Sequence, residues 1–256
     1  NRMSRVTALA LALTVIAGGV RAADSLGDPF DGTKLGNANW QWEFEPASWD
    51  LGETTPGWLT MEGDPSRNLW ADYTTSHLYQ EHSGDFDIET HMITHYVSSS
   101  VVAGVVAYSP TSQDHNGRVG EWVAIKLWGR GAGEGDNAVI QYQAREFDAG
   151  EGFVGTVPGF QEPHETDIDL YIRMKREGET FTAWYKRADG DPWLDIGATD
   201  QALEDPLRVG IFNGVADAAG EITPRYEHVI DNLTPFAVEP GGKLPLTWAS
   251  LKGSAE

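Results

Sequence analysis

The 256-residue chain is predicted to be all-β, a jelly-roll β-sandwich of two antiparallel sheets. Three observations carry that expectation. Short runs of alternating or β-branched residues, bounded by Gly, Pro, Asn and Asp, recur along the chain, and few windows repeat apolar residues at the helical period. The 29 glycines and 13 prolines fall between those runs as turn formers. Cysteine is absent, so no disulfide staples the fold and the core must hold it alone, which is feasible at this length.

In chain order the predicted strands are Trp40 to Phe44, Trp58 to Glu62, Ser76 to Gln80, Gly84 to Tyr96, Val101 to Ser109 and Glu121 to Gly129. They continue with Ala138 to Phe147, Asp167 to Glu177, Thr180 to Arg187, Leu194 to Ala198, Leu207 to Asn213 and Arg225 to Thr234. Such a series without intervening helices specifies a sandwich rather than α/β layers. Glu177-Gly178-Glu179 reads as a hairpin turn, and Asp189-Gly190-Asp191-Pro192 as the turn leading to Trp193. The long loops are Pro110 to Gly120, Asp148 to Thr166 and a mobile, Gly-rich Gly129 to Asn137.

The ends read differently. Met3-Ser4-Arg5, the apolar run Val6 to Val20 and the small-x-small ending Val20-Arg21-Ala22 predict a signal peptide over residues 1–22, too short and glycine-broken for a membrane span. The sandwich is expected over 23–236, followed by a linker and one more strand, Leu244 to Leu251, within 237–256. The expected protein is therefore secreted and, once cleaved, not inserted in a membrane; it is taken as a monomer. With 18 basic against 39 acidic residues the net charge is −21, which opposes binding of nucleic acid and anionic membranes.

Several ordered motifs span nearly the whole mature chain: Pro29-Phe30-Asp31-Gly32-Thr33-Lys34-Leu35, Trp40-Gln41-Trp42, Pro56-Gly57-Trp58-Leu59, Leu78-Tyr79-Gln80, Gly84-Asp85-Phe86-Asp87, Phe181 to Tyr185, Pro206 to Gly210 and Asp231-Asn232-Leu233. Their order resembles the concanavalin A-like lectin/glucanase superfamily, in particular secreted bacterial sandwiches of accessory or unknown function such as those appended to arabinoxylan-cleaving hydrolases. The resemblance implies a concanavalin A-like jelly roll and a carbohydrate partner. It also implies a structural calcium, for which Asp31 and Asp231 offer hard oxygen ligands; both residues equally suit turn chemistry.

Alternation sorts each strand into two faces. Val123, Ile125 and Leu127 mark a core face, leaving Trp122, Lys126 and Trp128 opposite. Gln141, Gln143 and Arg145 share one face of the next strand, and Asp87, Glu89 and His91 one face of an earlier strand. If these faces belong to one curved sheet, they form a trough in which aromatic rings cover sugar C–H faces while amides and charges bond hydroxyls. The expected contact set is Trp70, Glu89, His91, Trp122, Lys126, Trp128, Gln141, Gln143 and Arg145. Covered by loops, the same tryptophans would instead fill a second small core. Trp40, Trp42, Trp49, Trp58 and Trp193 are assigned to packing.

Glycoside hydrolysis would require two carboxylates about 5 Å apart or wider, with Asp87 and Glu89 as candidates. Asp85, Asp87 and Glu89, alternating on one strand, resemble the Glu-x-Asp-x-Glu strand of laminarinase-like and lichenase-like enzymes, but the first acid is Asp rather than Glu and the motif's frame is absent. A lyase would use His91, His95 or Tyr171 as base beside Arg173 and Lys175. A structural cell-surface module is the third reading. His91 and His95, four apart on a strand, lie roughly 13 Å from each other and cannot share a metal ion. No cofactor is expected beyond the calcium.

Overall fold

The computed structural model describes residues 25–235 except 66, 68, 70–72, 98–99, 114–118, 147–149 and 217–218. The expected signal peptide, Trp70 and the strand expected at Leu244 to Leu251 lie outside the described residues. The first seven strands are β1 (Gln41–Glu43), β2 (Trp49–Leu51), β3 (Leu59–Met61), β4 (Ser76–His82), β5 (Phe86–Tyr96), β6 (Val101–Gln113) and β7 (Val119–Gly129). The rest are β8 (Ala138–Glu146), β9 (Gly150–Thr156), β10 (Asp167–Glu177), β11 (Thr180–Lys186), β12 (Leu194–Asp200), β13 (Leu207–Val215) and β14 (Ile222–Asp231). Sheet I has the order β1-β4-β13-β6-β7-β8-β9, and sheet II the order β12-β11-β10-β5-β14-β3-β2. The pairings within both sheets are antiparallel.

Every predicted strand run within the described residues forms a strand, because each carries its own alternation. In β10, Ile168, Leu170, Ile172 and Met174 are buried while Asp167, Asp169, Tyr171, Arg173 and Lys175 point away from the core. The hairpin to β11 turns at Gly178, whose φ of 61° needs a residue without a Cβ penalty. Two strands were not predicted. β2 has only three residues, too few to show a period, and β9 (Gly-Glu-Gly-Phe-Val-Gly-Thr) is glycine-rich and pairs with β8 at the sheet edge.

The facing inner sides form one core, from Leu59 and Met61 through Ile125, Leu127, Ile140 and Tyr142 to Ile172, Met174 and Ile211. A buried phenol bonds across it. Tyr226, fully buried on β14, donates its hydroxyl to the Phe212 carbonyl at 2.8 Å and accepts from the Gly104 N–H at 3.1 Å, so sheet II is bonded to two strands of sheet I. Glycine is required at 104, since a Cβ there would stand 2.2 Å from the Ile125 carbonyl oxygen. Burial pushes the Tyr226 phenol far above its usual range, so it remains a donor.

The N-terminal segment closes the edge of the core. Asp28 bridges Val229 and accepts the Phe30 and Asn37 N–H groups and the Trp40 indole at 3.0, 2.9 and 2.9 Å. Tyr226→Phe strands the Gly104 N–H in an apolar interior and is expected to cost about 1–3 kcal/mol. Urea unfolding checks this as a lower midpoint with an unchanged slope.

Candidate functional site

The outer face of sheet I carries a cavity of about 460 Å³. It lies within the range of small-molecule sites. Its floor is Lys126 and Trp128 from β7 and Gln141 and Gln143 from β8; Arg67 and Leu69, between β3 and β4, form one wall, and Glu134 forms another. The antiparallel register sets Lys126 across from Gln141 and Trp128 across from Val139, so four side chains assigned to one face by alternation converge.

Lys126 is 3% exposed, and its ammonium donates to Gln143 Oε1 at 2.5 Å and lies 5.3 Å from the Trp122 ring. Trp128 is half-buried, with the Arg130 guanidinium 5.9 Å from its ring. Arg130 in turn donates Nε to Asn137 Oδ1 at 3.0 Å and its backbone N–H to the Asn137 carbonyl at 2.9 Å. The stretch expected as a mobile loop is therefore a closed turn with a short 3-10 helix at Ala132–Glu134, and it brings Glu134 to the cavity.

Trp122 corrects the predicted aromatic row. It is wholly buried with Leu69, Tyr73, Val106, Ala124 and Phe212 in a second small core on the outer side of sheet I. The cover is held by Tyr73, whose ring stacks on Tyr108 at 3.5 Å and whose hydroxyl bonds His77 Nδ1. Burial, with Arg208 nearby, lowers the His77 pKa to about 3. Arg145, at the next outward position after Gln143, is 2% exposed and donates Nη1 to the Gly120 carbonyl at 3.3 Å.

Glu89 and His91 do not join this cleft. Their strand, β5, belongs to sheet II, so its outward side chains face away from sheet I and the single trough does not form. Asp87, 4% exposed, accepts two bonds from Arg173, at 2.7 and 2.6 Å, and Asn232 Nδ2 donates to Glu89 at 3.1 Å. The Asp87 carboxylate holds the Arg173 guanidinium above its ordinary pKa. This candidate acid is thus committed to a bidentate ion pair. His91 stacks on Tyr171 at 4.0 Å and sets its two ring nitrogens 2.6 Å from Glu227 and 2.7 Å from Asp169.

Trp58 and Trp193, expected in packing, are half-buried members of the same outer face. Trp58 meets His91 edge-on at 5.0 Å. Arg173 lies 5.2 Å from Trp184 and 5.9 Å from Trp193, and Lys186 lies 4.8 Å from Trp193 and 4.7 Å from Tyr171. Rings and cations therefore alternate across sheet II. The two-residue spacing of Trp184 and Lys186 was a visible signal for this; Arg67 and Glu134, which reach the cleft from outside the sheet, gave none.

Asp31 and Asp231, expected as calcium ligands, have different surroundings. Asp231 accepts the Leu26, Leu233 and Thr234 N–H groups at 3.1, 3.0 and 3.2 Å and the Thr234 hydroxyl, so donors already point at both its oxygens. Asp31 is exposed, and among the described residues no three His, Asp or Glu side chains converge as an ion cage requires. Asp231 instead ties the N-terminal segment to the end of β14.

No family model and no curated protein matches the chain. Solved structures do. A mutant of the GH43 protein BlXynB from Bacillus licheniformis aligns at 18% identity and a TM-score of 0.59, covering 79% of this chain and 38% of that one. The Bacteroides ovatus xyloglucan PUL GH43B structure aligns at 13% and 0.60, covering 81% and 39%. A functionally unknown protein from Saccharomyces cerevisiae aligns at 15% and 0.58, covering 78% of this chain and 98% of that one. The chain spans under two fifths of the two GH43 structures, and at these identities the likeness is one of fold: an antiparallel two-sheet β-sandwich.

His77 makes stability depend on pH. It stays neutral in the folded protein down to about pH 3, while the unfolded chain protonates it below its ordinary value of 6.5. The unfolded state thus binds more protons in that window, and stability falls as the pH drops from 6.5 toward 3. The expected loss is about 2 kcal/mol at pH 5 relative to pH 7.5. Urea midpoints at the two pH values measure it, and His77→Gln should remove this part of the difference.

Proposed function

We propose that the chain is a carbohydrate-binding sandwich of the concanavalin A-like kind, exported by its leader and working beside enzymes that degrade polysaccharide. The observation that carries this is the cleft of sheet I. A half-exposed indole stands beside an ammonium and two carboxamides on adjacent strands, around about 460 Å³ of space. An indole covers the apolar face of a pyranose, and Lys126, Gln141 and Gln143 supply hydroxyl partners whose positions the strand register fixes. The shared fold with parts of GH43 structures supports the same reading. Hydrolysis at Asp87 and Glu89 has less support, because Asp87 is neutralised by Arg173 and both stand away from the cleft. The acidic exterior, at −21, keeps such a protein soluble and clear of nucleic acid.

Affinity electrophoresis and fluorescence titration against a panel of soluble plant and microbial polysaccharides test the proposal. At least one glycan is expected to bind and perturb tryptophan emission, and Trp128→Ala to weaken that binding about tenfold or more. A panel without a binder, or a Trp128→Ala variant that binds as well as the parent, would reject this cleft as the site.

A further inference from the structure

Described residues close the cleft of sheet I on three sides, and each wall is bonded to its neighbour. Along the strands toward Trp122 the outer face is sealed, because Trp122, Val106, Ala124 and Phe212 lie together with Leu69 and Tyr73 in the second core. Lys126 stands at that boundary, its ammonium 5.3 Å from the Trp122 ring and bonded to Gln143. Toward β13 and β4 the chain between β3 and β4 forms the wall, with Pro65 and Arg67 each bridged to the Val215 backbone and Leu69 2% exposed.

In the other direction along the strands, β7 stops at Gly129 and β6 starts at Val101, and the connections close that end. The Ser100 carbonyl accepts the Ala216 N–H at 2.9 Å, and the Gly131 carbonyl accepts the Glu134 and Asp136 N–H groups at 2.9 and 3.0 Å. Ser100, Ala216 and Glu134 all line the cavity. Trp128, one residue from the end of β7, therefore stands beside the closed end, with the Arg130 guanidinium 5.9 Å from its ring and held by Asn137. The remaining side runs over Gln141 and Gln143 of β8 to β9, the edge strand of the sheet.

Resting on the carbohydrate reading of this cleft, we infer that it receives the end of a glycan chain, with the terminal ring against Trp128 and the rest of the chain leaving over β8 and β9. An internal stretch of a polysaccharide needs two exits from its site, whereas a chain end needs one. The volume of about 460 Å³ suits a ligand of about two sugar rings rather than a long segment. Because the walls are bonded to the sheet and to each other, they are in place before the ligand arrives, and little ordering accompanies binding.

The test measures how binding scales with chain length. The full chain is titrated calorimetrically with soluble xylan, β-glucan, mannan, pullulan and pectin, each as the long polymer, as a fraction cut to about a tenth of its length, and as oligosaccharides from the disaccharide to the octasaccharide. For a glycan that binds, sites per gram should rise about tenfold in the shortened fraction at unchanged affinity per site, and affinity among the oligosaccharides should level off by the trisaccharide. Ala216→Phe fills the closed end from an exposed position; it should weaken binding of the disaccharide and the polymer alike by about tenfold or more, at an unchanged Tm. Sites per gram that stay constant when the polymer is cut, with affinity still climbing at the octasaccharide, would overturn end recognition and leave the cleft a sugar site. A folded Ala216→Phe variant that binds as the parent does would overturn it too, and the length series, which uses the unaltered chain, decides the matter even if that variant unfolds. If none of the polymers or oligosaccharides bound, the carbohydrate reading itself would fall, and this inference with it.

Discussion

An indole on the outer side of a sheet has to be covered or left wet, and Trp122 is covered. Its burial beneath Leu69 and Tyr73 turns part of a solvent-facing surface into a second core. Tyr73 keeps that cover in place through its stack on Tyr108 and its bond to His77. Where the cover stops, the sheet surface drops into the cavity bounded by Leu69 on one side and Trp128 on the other. The cleft is thus the step between a capped and an uncapped part of one face, and its depth follows from hydrophobic burial rather than from any polar residue within it.

The two outer faces handle charge in opposite ways. On sheet II, among the described residues, Arg173 is paired with Asp87, the His91 ring lies between Glu227 and Asp169, and the rings of Trp184, Trp193 and Tyr171 lie beside Arg173 and Lys186. Such a surface satisfies itself. On sheet I, Lys126 donates to Gln143 at the floor of an open cavity, with the half-buried Trp128 beside it. That contrast within one molecule, more than the presence of aromatics on either face, distinguishes the two surfaces.

Strand alternation was legible throughout, because a period of two needs only neighbouring residues to be seen. Val123, Ile125 and Leu127 against Lys126 and Trp128 divided β7 correctly between core and outer face. The co-location of Lys126, Trp128, Gln141 and Gln143 followed from the same logic, helped by the short connection that pairs β7 with β8. Glu89 and His91 were misplaced because alternation says which side of its own sheet a residue occupies and nothing about which of two sheets the strand joins. Arg67 and Glu134 were missed for a related reason: they enter from segments with no period to read.

By itself, then, the sequence determined the class of fold, nearly all of the strands and the face each side chain takes, since these depend on local sterics and on separating apolar from polar neighbours along one strand. Only the tertiary structure decided that β5 lies across the sandwich from β7, that Trp122 is sealed while Trp128 stays half-open, and that Asp87 is bound to Arg173. Those outcomes depend on which distant segments meet. Burial and charge pairing are properties of the assembled surroundings, and contacts between residues tens of positions apart leave no mark in the local pattern of either one.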